Sequence, residues 1–114
     1  KTGYFGTSLW SPLIMGGSSA NGDLILNSTS HPAKGRIVFG NSSVYDEVKG
    51  YFGINTRSPS AYLDINSDKV RIRTPRTPSS STDTGNVGDI CWDSGFIYIC
   101  VAANTWKRAA LSAW

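Results

Sequence analysis

Two aspartates near the C-terminus are the carboxylates best placed for catalysis. Asp89 and Asp93 flank the tripeptide "ICW", and glycoside hydrolysis uses a pair of carboxylates about 5–9.5 Å apart. The segment between them is typical of a strand, on which residues four positions apart lie roughly 13 Å apart. The pair therefore does not fit that mechanism. We predict instead that both carboxylates accept hydrogen bonds from backbone donors at turns.

The other reactive residue types form no recognisable catalytic or metal pattern. His31, in "STSHPAKG", is the only histidine, and no nucleophile elbow surrounds any serine. One histidine and two separated cysteines match no zinc spacing. The sequence therefore predicts no catalytic residue, no metal, no cofactor and a protein that is not an enzyme.

Two basic clusters are candidates for ligand binding. Lys69, Arg71 and Arg73 alternate with two apolar residues, so a strand there would show one basic face. That face is either simply solvated or binds an anion such as lipopolysaccharide phosphate. The second cluster is an aromatic-plus-cation platform for a sugar, formed by Tyr98, Trp106, Lys107, Arg108 and Trp114. The alternative for its tryptophans is packing at a subunit interface.

The composition predicts that strands carry these residues. Ser, Thr, Asn and Gly dominate the polar residues, Glu47 is the only glutamate, and glutamine is absent, so helix surfaces lack their usual residues. We therefore expect an all-β protein. Its net charge of +3 falls short of a nucleic-acid signature. Its apolar runs fall short of the roughly 18 residues of a membrane span, so neither nucleic acid nor membrane insertion is expected.

An internal repeat organises the first part of the chain. "GYFGTSLWSP" at Gly3–Pro12 returns as "GYFGINTRSP" at Gly50–Pro59. Two copies are fewer than the three or so that a solenoid needs. Residues 1–74 are either a short-strand module whose apolar partner comes from two further chains wound about one axis, or an ordinary sandwich. The predicted strands are Asp23–Asn27, Arg36–Phe39, Val44 onward, Tyr62–Asn66 and Lys69–Thr74.

A linker is predicted at residues 75–88, because Pro75 and Pro78 block regular structure and the Ser/Thr/Gly run has almost nothing to bury. Residues 89–114 then form a three-stranded β-meander with turns at Ser94-Gly95 and Ala103-Asn104. Its strands are predicted to pair Trp92 with Ile97, Cys91 with Tyr98, and Val101 with Trp106. The two cysteines are then diagonal neighbours, too far apart for a relaxed disulfide, and we expect free thiols.

The meander is predicted to be apolar on both faces. One face is expected to be an interface or core that meets either the first module or copies of itself, since an isolated sheet of this size is barely stable. That face collects Ile90, Trp92, Ile97, Ile99, Val101 and Trp106. The opposite face collects Cys91, Asp93, Phe96, Tyr98 and Lys107.

The segments "GDICWDSGFIYICVAANTWKRAALSAW" and "GINTRSPSAYLDI" resemble the C-terminal, distal region of bacteriophage tail-fibre and appendage proteins. The resemblance covers residues 50–114, with the linker variable. It implies an intertwined homotrimer in the virion, assembled in the host cytoplasm and joined to an upstream fibre segment. Because the chain begins at Lys1 rather than Met, we interpret it as a fragment.

Three functions remain open at this point. The first is a structural and host-attachment module at the distal end of a tail fibre, which binds a host polysaccharide or lipopolysaccharide. The second is a trimerisation and folding cap without receptor binding. The third and most remote is a carbohydrate-active enzyme.

Overall fold

The computed structural model describes residues 14–114. Strands, arranged in two sheets, are the only regular secondary structure in this range. The predicted all-β class is confirmed. The chain divides into two compact units between Ser67 and Asp68, earlier than the predicted boundary at Thr74. The first copy of the repeat, Gly3–Pro12, lies outside the described residues. Within residues 14–114 no helix is long and apolar enough to cross a membrane.

The first unit contains a four-stranded sheet in the order β1-β2-β3-β4. Its strands are β1 (Arg36–Phe39), β2 (Ser43–Asp46), β3 (Tyr51–Ile54) and β4 (Leu63–Ile65). The first three are antiparallel, and β4 runs parallel to β3. Three of the predicted strands are thereby confirmed. Asp23–Asn27 and Lys69–Thr74 form no strand, because neither is paired with a neighbouring strand in the described part of the chain.

The loop after β3 covers one face of the first sheet. Pro59 is fully buried, as is Val44 below it. A Cβ atom on Gly53 would lie 2.6 Å from the carbonyl oxygen of Thr56, so only glycine allows this loop to approach the strand so closely. The Gly and Ser-Pro positions of the second repeat copy therefore hold a strand and its covering loop together.

The opposite face of this sheet is apolar and open. The register aligns Tyr45, Phe52 and Leu63 across three strands, and the ring centroids of Phe39 and Phe52 lie 5.7 Å apart. These side chains and Ile54 are all exposed. We refer to Phe39, Tyr45, Phe52, Ile54 and Leu63 as the first open face.

The second unit contains the predicted antiparallel meander. Its strands are β5 (Ile90–Trp92), β6 (Phe96–Ala102) and β7 (Thr105–Ala110). The pairing of Trp92 with Ile97 and of Cys91 with Tyr98 is as predicted. Asn104 makes the second turn with a φ of 53°, a left-handed conformation that asparagine tolerates.

An irregularity at Val101 changes the faces of β7. Cys100, rather than Val101, pairs with Trp106, and Ala102 pairs with Thr105, so that Val101 is the extra residue of a β-bulge. A shift of one residue exchanges the two faces of a strand. The predicted faces of Trp106 and Lys107 are therefore wrong: Trp106 lies with the cysteines, and Lys107 lies opposite Ile99.

Residues 75–88, predicted to be a linker, fold against the meander as part of the second unit. The backbone N–H of Arg76 donates to the carbonyl of Trp92, and that of Trp106 donates to the carbonyl of Ser81, both at 2.9 Å. A Cβ on Gly85 would lie 2.6 Å from the Trp106 ring. The linker was predicted because the segment has few apolar residues to bury. Backbone hydrogen bonds and one close glycine contact nevertheless hold it against the meander.

Candidate functional site

The core of the second unit lies between the meander and residues 75–88. It consists of Cys91, Tyr98, Cys100 and Trp106, with Phe96 packed beside them. Both cysteines are free, as the predicted register requires. This side of the sheet, which we call the covered side, therefore carries the polar and aromatic groups of the candidate site.

Asp93 is the most heavily hydrogen-bonded carboxylate on the covered side. It accepts hydrogen bonds from the Thr77 hydroxyl at 2.6 Å and from the Tyr98 hydroxyl at 2.5 Å. It also accepts from the backbone N–H groups of Gly95 and Phe96. These bonds, chiefly the one from Thr77 and then the one from Tyr98, hold the pKa of Asp93 well below its usual range. The carboxylate is thus fully occupied within the fold.

The neighbouring carboxylates are occupied in the same way. Asp89 accepts from the backbone N–H of Asn86 at 2.9 Å, so the predicted turn role of Asp89 and Asp93 is confirmed. Asp83 forms an ion pair with Arg76 at 2.9 Å and accepts from the backbone of Ser79 and Thr84. The hydrogen bond from Ser79 is the largest cause of a lowered pKa at Asp83.

The basic side chains of the second unit other than Arg76, by contrast, lack acidic partners among the described residues. Arg76–Asp83 is the only ion pair found across residues 14–114. The exposed cations of this unit without an acidic partner are Lys69, Arg71, Arg73, Lys107 and Arg108. Three of its four aspartates, Asp83, Asp89 and Asp93, accept hydrogen bonds within the fold. Its cations outnumber its carboxylates by six to four, so the unit carries an excess of positive charge.

A groove of about 310 Å³ runs between residues 78–81 and the meander. Ser79, Ser80 and Ser81 form one wall, and Arg108 and Lys107 border the other side. The carbon atom of the Arg108 guanidinium lies 4.1 Å from the centroid of the Phe96 ring, a stacking contact that restricts the side chain. The sequence analysis does not predict the serine wall, because a Ser-rich run of this kind is typical of a linker.

The predicted sugar platform is only partly formed. Tyr98, Trp106, Lys107 and Arg108 do border the same groove, but Tyr98 and Trp106 are only 4% and 6% exposed. Their polar atoms are also engaged, since the Trp106 indole N–H donates to the carbonyl of Asp83 at 3.1 Å. The aromatic rings therefore form a floor and not a stacking surface. Trp114 is fully exposed and is not among the residues that border the groove.

The other predicted basic cluster meets the opposite side of the meander. An extended segment that includes Lys69 and Arg71 borders a second groove of about 350 Å³, with Val70, Ile72, Ile90, Cys91, Trp92 and Ile97. The indole N–H of Trp92 donates to the carbonyl of Ile72 at 2.7 Å and fixes this segment. Arg73 does not border this groove, and the predicted single basic face does not form because there is no strand.

This opposite side also holds the predicted interface residues. Ile90, Ile97 and Ile99 are 41–53% exposed, and Val101 beside them at the bulge is 43% exposed. Trp92 is half-buried, whereas Trp106 belongs to the core of the covered side. We refer to Ile90, Ile97 and Ile99 as the second open face.

His31 takes part in a local turn and not in a cluster of functional groups. Its Nδ1 atom accepts a hydrogen bond from the backbone N–H of Ala33 at 3.0 Å. The structure between residues 14 and 114 brings together no group of three or more side chains that could hold a metal ion.

The chain is similar to two phage proteins. It is 65% identical over 40 residues to "Depolymerase 1, capsule K30/K69-specific" of Klebsiella phage K5-2, a match that covers 35% of this chain and 5% of that protein. It is 41% identical over 56 residues to "Depolymerase, capsule K30/K69-specific" of Klebsiella phage K64-1, covering 49% of this chain and 7% of that protein. No family model and no solved structure matches.

These homologues are phage capsule depolymerases. They confirm the predicted resemblance to the C-terminal region of phage tail-fibre proteins. They also support the prediction of a phage tail protein that has a role in host attachment and is located in the virion. The chain spans less than a tenth of the length of either relative.

The prediction of a protein that is not an enzyme is contradicted, because both relatives are named depolymerases. That prediction rested on the spacing of Asp89 and Asp93 and on the lack of a nucleophile elbow and of a metal-ligand pattern in this sequence. These features carry no information about catalytic groups in the unmatched parts of the relatives, of which this chain covers 5% and 7%.

Proposed function

We propose that this chain acts in a phage tail protein that attaches to the capsule polysaccharide of its host and depolymerises it. We further propose that the chain forms a homotrimer through its two open faces. The relatives' names support the capsule and the depolymerase activity. The fold supports the assembly.

One observation carries the assembly: both units are built on the same plan. In each, a loop of the same chain covers one face of a small sheet, and the other face is apolar and open. Burying one large apolar side chain contributes about 1.5–3 kcal/mol, so two uncovered faces leave much of the available stabilisation unused. Soluble monomers rarely expose large contiguous apolar patches, and each open face consists of neighbouring apolar side chains that are all exposed.

Copies of the same chain are the occupants that this plan favours. The edge strands of both sheets also carry unpaired backbone groups, which further chains can cover when they wind about a common axis. The resemblance to tail fibres favours three copies over two.

The capsule part of the proposal is tested with Klebsiella cells of capsule types K30 and K69 and with capsule-free mutants of the same strains. We expect the fluorescently labelled chain to bind the capsulated cells and not the capsule-free cells. Equal binding to both would contradict capsule attachment. A trimer that binds neither would establish the alternative function, a trimerisation and folding cap.

The depolymerase part is tested separately, on the tail protein to which the sequence belongs. We expect that protein to release reducing ends from purified K30 or K69 capsule polysaccharide. A tail protein that binds the capsule and leaves the polysaccharide at its original length would contradict this part alone.

A further inference from the structure

The covered side of the second unit combines a groove with an unpaired cation. Arg108 pairs with Tyr98 across the sheet and therefore lies on the covered side, away from the second open face. Its guanidinium has no carboxylate partner among the described residues. A trimer that buries the open faces would thus leave this groove accessible.

The carboxylates near the groove do not compete for Arg108. Asp93 is bound to Tyr98, the cross-strand neighbour of Arg108. Its oxygens also accept from Thr77 and two backbone N–H groups. Asp83 is neutralised by Arg76. Asp93 stays ionised, but its oxygens are taken up by donors of the fold, so neither carboxylate forms an ion pair with Arg108 and the guanidinium keeps its N–H donors for an external anion.

The position of Arg108 is fixed before any ligand binds. It stacks on Phe96 at 4.1 Å. The hydrogen bond to Asp93 raises the pKa of Tyr98, and the nearby positive charge of Arg108 opposes that rise. A restrained guanidinium loses less side-chain entropy on binding than a free one. Its planar fork also suits a carboxylate, which accepts two parallel hydrogen bonds.

The facing wall supplies hydroxyl groups. Ser79, Ser80 and Ser81 are exposed and border the groove. The Ser80 hydroxyl is shared with Thr82, whereas the Ser81 hydroxyl forms no hydrogen bond to the described residues and is free to pair with a sugar hydroxyl. The volume of about 310 Å³ is at the lower end of the roughly 300–1,000 Å³ of small-molecule sites, which suits one sugar unit.

We propose that this groove binds one acidic sugar of a polysaccharide, with the sugar carboxylate on Arg108 and its hydroxyls on the serine wall. This inference rests on the proposed capsule attachment and names the chemical class and the residues that recognise it. Neutral glycans leave Arg108 unpaired and are expected to bind far more weakly.

The test uses three soluble probes and calorimetric titration of the full chain. Tetragalacturonic acid supplies carboxylates, its methyl ester removes their charge, and a phosphorylated maltotetraose supplies phosphate instead. We expect the acid to bind at least about tenfold more tightly than the ester, because hydrogen bonds to charged groups are worth about 1.5–3 kcal/mol. Binding of the acid should also weaken as salt is raised.

Arg108→Met and Arg73→Met form the matched pair of variants. Both remove one positive charge from the same unit, but Arg73 borders neither groove. We expect Arg108→Met to weaken binding of the acid at least about tenfold, and Arg73→Met to change it less than about twofold, since only long-range attraction is lost. Equal losses in both would overturn the site in favour of diffuse attraction to positive charge.

Ser81→Glu keeps the test valid if Arg108→Met fails to fold. It places a carboxylate on the facing wall of the groove and leaves the core intact, and we expect it to abolish binding of the acid. Unchanged binding in this variant would overturn the site, as would preference for the phosphorylated probe over the acid. If capsulated cells are bound while no acidic probe is, the groove is refuted and the capsule proposal stands.

Discussion

Individual carboxylates in the second unit are used to hold turns and segments together. Asp93 joins three parts of the unit, because Thr77, Tyr98 and the hairpin turn at Gly95 all donate to it. One side chain therefore fixes residues 75–88, the centre of β6 and the turn between β5 and β6.

Acid should destabilise the second unit through Asp93. Its pKa is lowered in the fold, so its contribution to stability is complete above the unfolded pKa of about 3.9 and is lost as the pH falls below it. We expect the melting temperature to decrease from about pH 5 downward. Asp93→Asn should melt at a lower temperature than the wild type at pH 7 and show a smaller further loss in acid.

Asp68→Asn is the control for Asp93→Asn. Asp68 belongs to the same unit, is exposed, and is expected to leave the wild-type pH profile of melting nearly unchanged. Identical pH profiles for the wild type and Asp93→Asn, measured by circular dichroism, would refute the role given to Asp93.

At the scale of elements, each sheet is covered by a short segment whose backbone must approach the sheet closely. Gly53 lets the loop that ends at Pro59 lie against β3, and Gly85 lets residues 75–88 lie against Trp106. In both places a glycine stands where a Cβ atom would meet another group at 2.6 Å.

Gly85→Ala tests whether residues 75–88 pack on the meander. The new methyl group would clash with the Trp106 ring, and overpacking of this kind costs about 1–3 kcal/mol. We expect a lower midpoint of urea unfolding, followed by tryptophan fluorescence. Gly95→Ala is the control, since its Cβ would meet only Asp93, at an ordinary 3.7 Å. Equal midpoints in the two variants would show that the segment does not pack on Trp106.

The elements that the sequence predicted well are those specified locally. Alternation and turn residues gave the span of β6 and the pairing of Trp92 with Ile97. The bulge at Val101 could not be foreseen, because it depends on how Trp106 packs beneath residues 75–88 and not on any turn signal. Asp23–Asn27 shows the converse, since a strand-like pattern forms no strand without a neighbour to pair with.

Part of the candidate site was predicted, because that part is also specified by local sequence. Tyr98, Trp106 and Arg108 were grouped correctly because they lie on adjacent strands. Their exposure was not predictable, since it is set by a segment of low apolar content. The serine wall has no signal in a single sequence, because Ser-rich runs are equally typical of unstructured connectors.

At the scale of the whole molecule, the proposed assembly is supported by the distribution of apolar groups. The first open face carries three neighbouring aromatic rings, and the second carries a row of isoleucines. Such faces are stable when chains of the same kind cover them.

A single charge on the second open face should disrupt the assembly. Ile97→Asp places a carboxylate on the second open face between its cross-strand neighbours Trp92 and Ala109, which offer it no cation, and burial of an unpaired charge is costly. We expect the variant to sediment as a single chain. Ser94→Asp adds the same charge at the exposed hairpin turn and should sediment as the wild type does. Dissociation of both variants, or of neither, would show that this face is not an interface.

The mass of the purified wild-type chain in solution tests the central claim most directly. Light scattering coupled to gel filtration at micromolar concentration should give about three times the 12.3 kDa of one chain. A mass near that of one chain would contradict the assembly through the open faces.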